Sequence, residues 1–258
     1  MKYSIIILLI GHFFVYSANL SAQETENHTD TNTIQLSHPI KAAKIIGVVL
    51  PSSMLVYGVL SFQVEGIRQI DYSVNNKYHK EPSIQNNGWD SYLRFTPAAA
   101  AFGMNIGGIE SRHKLFDMAI LYTLSNVLNA GVVYGAKNIT TRERPDRSDN
   151  HSFPSGHAST AFVAAEFLHQ EYKDKSIWIS VGGYGIATLV SAARMYNNQH
   201  WVSDIVAGAG IGILSTKIAY WSYPYLQKAF RMKEKQFSTQ MVPMYYDGKI
   251  GLNFVSTF

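Results

Sequence analysis

The chain has 258 residues, of which 47% are hydrophobic and only 16% are charged. This charged share lies below the quarter that is usual for soluble domains, and the composition excludes a disordered chain, which needs low hydrophobicity and high net charge. The mean hydropathy of -0.05 argues against a protein made mostly of membrane spans. A net charge of +4 is too small to indicate nucleic-acid binding, and the absence of cysteine excludes disulfides, thiolate metal sites and a cysteine nucleophile.

The first residues have the pattern of an export signal. Lys2 precedes an apolar run over residues 5–15, and small residues follow as far as Ala22. We therefore predict a signal peptide over residues 1–22 that is cleaved after Ala22, the alternative being an uncleaved N-terminal anchor. The chain crosses a membrane in either case. Residues 23–40 are polar without helical periodicity and are predicted to form a flexible exported arm.

Residues 41–235 are predicted to be an all-α helical bundle of about six helices. Apolar or amphipathic segments run over residues 45–62, 95–109, 115–134, 158–171, 177–196 and 202–220. A polar surface helix followed by a loop is expected over residues 63–93, and Pro51 is expected to interrupt the first apolar segment. The glycine and alanine residues of the last segment favour close helix packing.

Residues 236–258 are predicted to form a short C-terminal β-hairpin. The pair Asp247-Gly248 is typical of a tight hairpin turn, and β-forming runs flank it on both sides. An isolated hairpin is marginal in water, so we expect it to pack on the helical body. The alternative, an outer-membrane sorting signal ending at Phe258, is weaker because one hairpin cannot close a barrel.

Three polar clusters carry the chemistry of this sequence: KNITTRERP at residues 137–145, PSGH at residues 154–157 and RMYNNQHWVSD at residues 194–204. Each has an ordinary structural explanation on its own, as a basic helix end, an N-capping serine or a surface His–Asp pair. Together they offer three cations, a helix N-terminus and two histidines, which describes a phosphate site. An aspartate bonded to one imidazole nitrogen would expose the other nitrogen as a nucleophile.

The three clusters resemble the signature of the phosphatidic acid phosphatase type 2 / vanadium haloperoxidase superfamily. That signature is Lys, six residues, Arg-Pro; then Pro-Ser-Gly-His; then Ser-Arg, five residues, His, three residues, Asp. Every position matches except the one before Arg194, where Ala193 replaces serine. The resemblance covers roughly residues 115–220 and is specific, because many positions are matched at fixed spacing.

The resemblance implies a role for each residue of the site. His200 is expected to attack phosphorus and form a phosphohistidine, with Asp204 orienting it, while His157 protonates the leaving oxygen and then activates water. The residues expected to bind the phosphate oxygens are Lys137, Arg144, Ser155, Gly156 and Arg194. No metal and no cofactor is implied. The flanking residues, left as surface or supporting positions, are Arg142, Asp146, Arg147 and His151.

The resemblance predicts a phosphatase for phosphate or pyrophosphate monoesters, above all of lipid or polyprenyl type. The alternatives are a secreted acid phosphatase of broad specificity, a vanadate-dependent haloperoxidase, for which the chain is short, and a non-catalytic binding protein. The expected partners are a phosphorylated lipid or small phosphomonoester and a membrane, with no nucleic acid; the oligomeric state stays open.

The expected location is the periplasm or the cell-envelope membrane, with the active site outside the cytoplasm. If the signal is cleaved, spans at 45–62, 95–109 and 115–135 would place Lys137 in the cytoplasm. At least one of these three segments is therefore expected not to cross the membrane.

Overall fold

The structure of the chain is a computed structural model that describes residues 38–78, 88–229, 238–246 and 249–257. The predicted signal peptide, the exported arm up to residue 37, the Asp247-Gly248 turn and Phe258 lie outside the described residues. The chain divides into two compact units, Met1–Ala219 and Tyr220–Phe258.

The described residues contain eight helices, so the all-α prediction is confirmed, although the predicted number of about six is too low. The helices are α1 (His38–Leu60), α2 (Glu65–Tyr78), α3 (Trp89–Leu93), α4 (Thr96–Ile106), α5 (Leu115–Thr140), α6 (Gly156–Tyr172), α7 (Ile177–Tyr196) and α8 (Val202–Ala229). Helix α2 is the surface helix expected over residues 63–93, and α3 is an additional helix from the same polar stretch. Neither has an apolar run, and α3 is too short for a helical period to show.

Helix boundaries follow the apolar pattern where a cap residue reinforces it. The bounds of α7 are as predicted, and the Ser176 side chain caps its start by accepting from the backbone N–H of Trp178. Helix α5 runs beyond its apolar part until Thr141 adopts a left-handed conformation with φ 44°. Lys137 therefore lies inside its last turn. The predicted interruption at Pro51 is wrong, because α1 continues through it.

Helix α6 is buried along most of its length and packs against α4, α5 and α7. Small side chains allow this packing, as in the cluster formed by Ala161 and Ala165 of α6 with Ala187 of α7. Helix α8 also approaches closely, since a Cβ at Gly212 would lie 2.3 Å from the carbonyl oxygen of Ser159. These contacts bring the start of α8 against the start of α6.

Two helices in the described part of the chain are long and apolar enough to cross a membrane, namely α5 and α8. Residues 47–60 of α1 pass the same test only jointly with α2, from which they are bent by 88°. Helix α4 has 11 residues and spans about 16 Å, about half of the hydrocarbon thickness of a bilayer.

The C-terminal unit carries two strands, β1 (Ser238–Tyr246) and β2 (Lys249–Thr257), after the end of α8. They pair antiparallel, with Ser238 opposite Thr257. The turn between them lies outside the described residues, so the predicted hairpin and its packing on the helical body stay predictions.

Candidate active site

The three polar clusters meet where α5 ends, α6 begins and α7 connects to α8. The Nη1 atom of Arg144 donates to the carbonyl oxygen of Gln199 at 3.1 Å and lies 3.4 Å from Nε2 of His200. Arg142 of the first cluster pairs with Asp204 of the third at 2.7 Å, and the carbonyl oxygen of Asp204 accepts from the Ser155 N–H of the second at 3.0 Å. Side chains from all three clusters thus converge on one region.

His200 is held in the loop before α8 and is only 3% exposed. Its Nδ1 atom lies 3.7 Å from Oδ2 of Asp204, and its Nε2 atom faces Arg144. Burial lowers the pKa of His200 below its usual range, although Asp204 acts in the opposite direction. The imidazole is therefore neutral near pH 7, with the carboxylate favouring the proton on Nδ1 and leaving Nε2 free to act as a nucleophile.

Asp204 is fully buried in the first turn of α8 and makes contacts with all three clusters. Its Oδ2 atom accepts from the Ser152 hydroxyl at 2.5 Å and from the Trp201 backbone N–H at 3.0 Å. Its Oδ1 atom pairs with Arg142 at 2.7 Å, and its carbonyl oxygen accepts from the Ser155 N–H at 3.0 Å. These bonds compensate the cost of burying a carboxylate and fix its orientation.

His157 lies in the first turn of α6, with Nε2 3.2 Å from the hydroxyl of Ser91 in α3. Burial and the charges of Arg194 and Arg94 together lower the pKa of His157 to about 3. The free site therefore holds this imidazole neutral near pH 7. An anion that neutralises the neighbouring cations would raise this pKa, so that the imidazole can take up the proton that it later delivers.

Each of the three predicted cations has a different partner. Arg194 is buried and pairs with Asp90 at 2.8 Å, Arg144 pairs with Asp149 at 2.8 Å, and the Lys137 ammonium donates to the carbonyl oxygen of His151. The carboxylates hold the two guanidinium groups in place but leave further donors for an anion. Such fixed cations can stabilise phosphate oxygens without reorganising during a reaction.

Ser155 and Gly156 start helix α6. The Ser155 hydroxyl accepts from the Ala158 backbone N–H at 3.4 Å, so in this arrangement the side chain serves as the helix cap. Gly156 is the first residue of the helix, where backbone N–H groups without intrahelical partners can bind an anion.

The structure adds residues that the signature does not contain. Asp71, Asp90 and Ser91 come from α2 and α3 and contact Arg142, Arg194 and His157 respectively. No fixed spacing links them to the signature, so only the fold reveals them. Of the flanking residues, those on the exposed surface are Asp146, Arg147 and His151. Arg142 instead lies behind Asp204, with a side chain that is 13% exposed.

Comparisons with known proteins place this site in a family context. Residues 115–228 match the PAP2 superfamily. The lipid A 1-phosphatase of Porphyromonas gingivalis is 32% identical over 192 residues, which is 74% of this chain, although the match spans only 38% of that relative. The lipid A 1-phosphatase of Helicobacter pylori is 25% identical over 55% of this chain and 76% of its own length. The crystal structure of Aquifex aeolicus LpxE aligns with a TM-score of 0.45 and 19% identity, covering 60% of this chain and 94% of that one.

Proposed function

Because residues 115–228 match the PAP2 superfamily, we propose that this chain is a metal-independent phosphatase that hydrolyses lipid phosphomonoesters through a phosphohistidine. The observation that carries the proposal is the surroundings of His200. Asp204 lies on its Nδ1 side at 3.7 Å, and Arg144 lies on its Nε2 side at 3.4 Å.

In the first step, Nε2 of His200 attacks phosphorus while the bond from phosphorus to the leaving oxygen breaks. The neutral His157 takes up the proton that the substrate monoanion brings and delivers it to that oxygen, so the product leaves as a neutral alcohol. Asp204 stabilises the charge that develops on His200. In the second step, His157 takes a proton from water, which attacks the phosphohistidine, and inorganic phosphate leaves with His200 restored.

The phosphate oxygens are assigned to Lys137, Arg144 and Arg194, together with the N–H groups at the start of α6. Arginine forks match phosphate oxygens in two directions, and lysine adds a point charge. These cations sit at fixed positions because Asp90 and Asp149 hold the two arginines. They are suited to neutralise the charge that spreads over the equatorial oxygens in the transition state.

A lipid substrate is supported by the two relatives named lipid A 1-phosphatase and by exposed apolar residues near the site residues in the sequence. Exposed apolar side chains occur next to the site residues along the chain, at Trp89, Tyr92, Tyr134 and Ile139. Such side chains can contact acyl chains or a bilayer. Lipid A 1-phosphate is therefore the first substrate to test.

We further propose that the chain is exported, with a signal peptide at 1–22, an arm at 23–40, a bundle at 41–235 and a hairpin at 236–258. Two span-like helices support a membrane location. The proposed orientation places the active site on the outer side of the cytoplasmic membrane.

The test is phosphate release by the purified chain in detergent with excess chelator. A lipid A 1-phosphate, a polyprenyl pyrophosphate and a small soluble phosphomonoester are compared, with His200→Ala as the control. We expect release from the lipid monoester that survives chelation and is absent in the variant. Equal release by the His200→Ala variant would refute the mechanism, and a preference for the soluble ester would refute the lipid assignment.

A further inference from the structure

Arg142 connects two buried carboxylates behind the nucleophile. Its Nη2 atom lies 2.7 Å from Oδ2 of Asp71, and its Nη1 atom lies 2.7 Å from Oδ1 of Asp204. The side chains of both acids are 0% exposed. Arginine suits this position because its planar guanidinium can bind two acceptors in different directions at once.

The bond from Arg142 holds Oδ1 of Asp204, while the Ser152 hydroxyl and the Trp201 N–H hold Oδ2. With Oδ1 paired to the arginine, Oδ2 remains on the side of the Nδ1 atom of His200. Without that pairing, the carboxylate could rotate and compete for other donors. The contact therefore helps to hold the carboxylate where its charge favours the proton on Nδ1 of His200.

Asp71 holds the other side of Arg142. This residue lies on α2 and accepts from the backbone N–H of Ser203 at 2.9 Å and from its hydroxyl at 2.6 Å. Ser203 directly precedes Asp204, so Asp71 anchors both the arginine and the start of α8. The negative charge of Asp71 also offsets that of the arginine, so that Asp204 still presents negative charge to His200.

We propose that Asp71 and Arg142 are positioning residues for the nucleophile, which hold Asp204 through the two arms of one guanidinium. This inference rests on the proposed role of His200. Neither residue belongs to the three-part signature, and Asp71 lies outside the segment that matches the PAP2 superfamily. The part of the chain before residue 115 thus contributes directly to the geometry of the site.

The test compares Asp71→Asn with Glu166→Gln in the full chain in detergent. Glu166 is a matched control, because it is also buried and pairs with a cation, Lys217, at 2.8 Å. We expect Asp71→Asn to lower kcat about 10-fold to 100-fold with little change in KM, as is typical when a residue that orients a functional side chain is lost. Glu166→Gln should lower the melting temperature but leave kcat within about twofold. Equal losses of kcat in the two variants would overturn the proposal.

Arg142→Lys provides a second variant in case Asp71→Asn does not fold. Lysine keeps the charge but cannot bind Asp71 and Asp204 with two arms, so we expect kcat to fall about 10-fold. A folded Arg142→Lys protein with kcat within twofold of wild type would overturn the proposal, since charge alone would then suffice.

The tautomer of His200 gives a readout that does not depend on turnover. Nitrogen-15 NMR, with the resonance assigned by its loss in His200→Ala, should show the proton on Nδ1 in the wild type. Asp71→Asn and Arg142→Lys should raise the fraction with the proton on Nε2, while Glu166→Gln should not. Unchanged tautomers in both variants would contradict the inference even if the chain proved not to be a phosphatase.

Discussion

Gly208 lies one turn after Asp204 on α8, where the helix touches the turn that carries Ser155. A Cβ atom at this position would lie 2.6 Å from the Ser155 carbonyl oxygen and 3.4 Å from Cβ of Ala158. Ordinary contact begins at 3.4 Å, so an alanine requires a movement of about 0.8 Å. Because the obstructing atom belongs to the backbone, no side-chain rotation can relieve the contact.

Gly208→Ala should therefore separate the two halves of the site. The Ser155 turn positions His157, while α8 and the loop before it position Asp204 and His200. A misplacement near 1 Å can cost about 100-fold in rate, so a shift of about 0.8 Å should lower kcat roughly 10-fold to 100-fold. The stability cost of the overpacking should be about 1–3 kcal/mol.

The assay is kcat and KM for lipid phosphate hydrolysis, together with thermal unfolding, for the purified variant in detergent. Gly185→Ala on α7 is the matched control, because no atom lies within 4 Å of the Cβ it would add. It should keep full activity and gain up to about 1 kcal/mol of helix stability. A folded Gly208→Ala protein with kcat within threefold of wild type would refute the reasoning, as would an equal loss in the control.

Three further predictions concern the two histidines. The pKa of His157 is lowered to about 3, and burial also lowers the pKa of His200. Because both histidines are then neutral at pH 6.5, kcat/KM should not fall on the acid side near that pH. It should instead fall above pH 6, because the substrate monoanion that brings the proton loses it there. An acid limb centred near 6.5 in the pH profile would contradict this. His157→Ala should slow turnover most for poor leaving groups, and equal losses across a series of phenyl phosphates would exclude its role as the acid. Ser91→Ala removes the 3.2 Å contact to His157. The loss of one hydrogen bond, about 1 kcal/mol, should lower kcat about fivefold. An unchanged kcat would show that this contact does not orient the ring.

The sequence predicted the long apolar helices and the convergence of the signature clusters. The apolar period ends at Tyr196, and so does α7. Helix α5 was predicted too short, because its last turn is polar and the left-handed Thr141 that ends it has no sequence mark. Pro51 was predicted to interrupt α1, but a proline within a helix removes one hydrogen bond and need not end it.

The contacts from α2 and α3 could not be predicted from the sequence. Asp71 lies 133 positions before Asp204, and Asp90 lies 104 positions before Arg194. A single acid in a polar segment looks like an exposed residue, and only the tertiary fold buries it against an arginine. Arg142 was noticed as a neighbour of the signature, but its position behind Asp204 depends on how α2 folds back against α8.

Asp204 connects the parts of the site more than any other residue of the signature. Its side chain pairs with Arg142 next to the first cluster, its carbonyl oxygen receives the N–H of Ser155 in the second, and it orients His200 in the third. Removing this carboxylate would disturb both the fold and the chemistry, so its substitution cannot separate the two. Changes at Gly208 and Asp71 keep the Asp204 carboxylate itself and alter the packing and the bonds that position it, so they test positioning more directly. Their kinetic effects therefore measure how much of the catalysis depends on positioning.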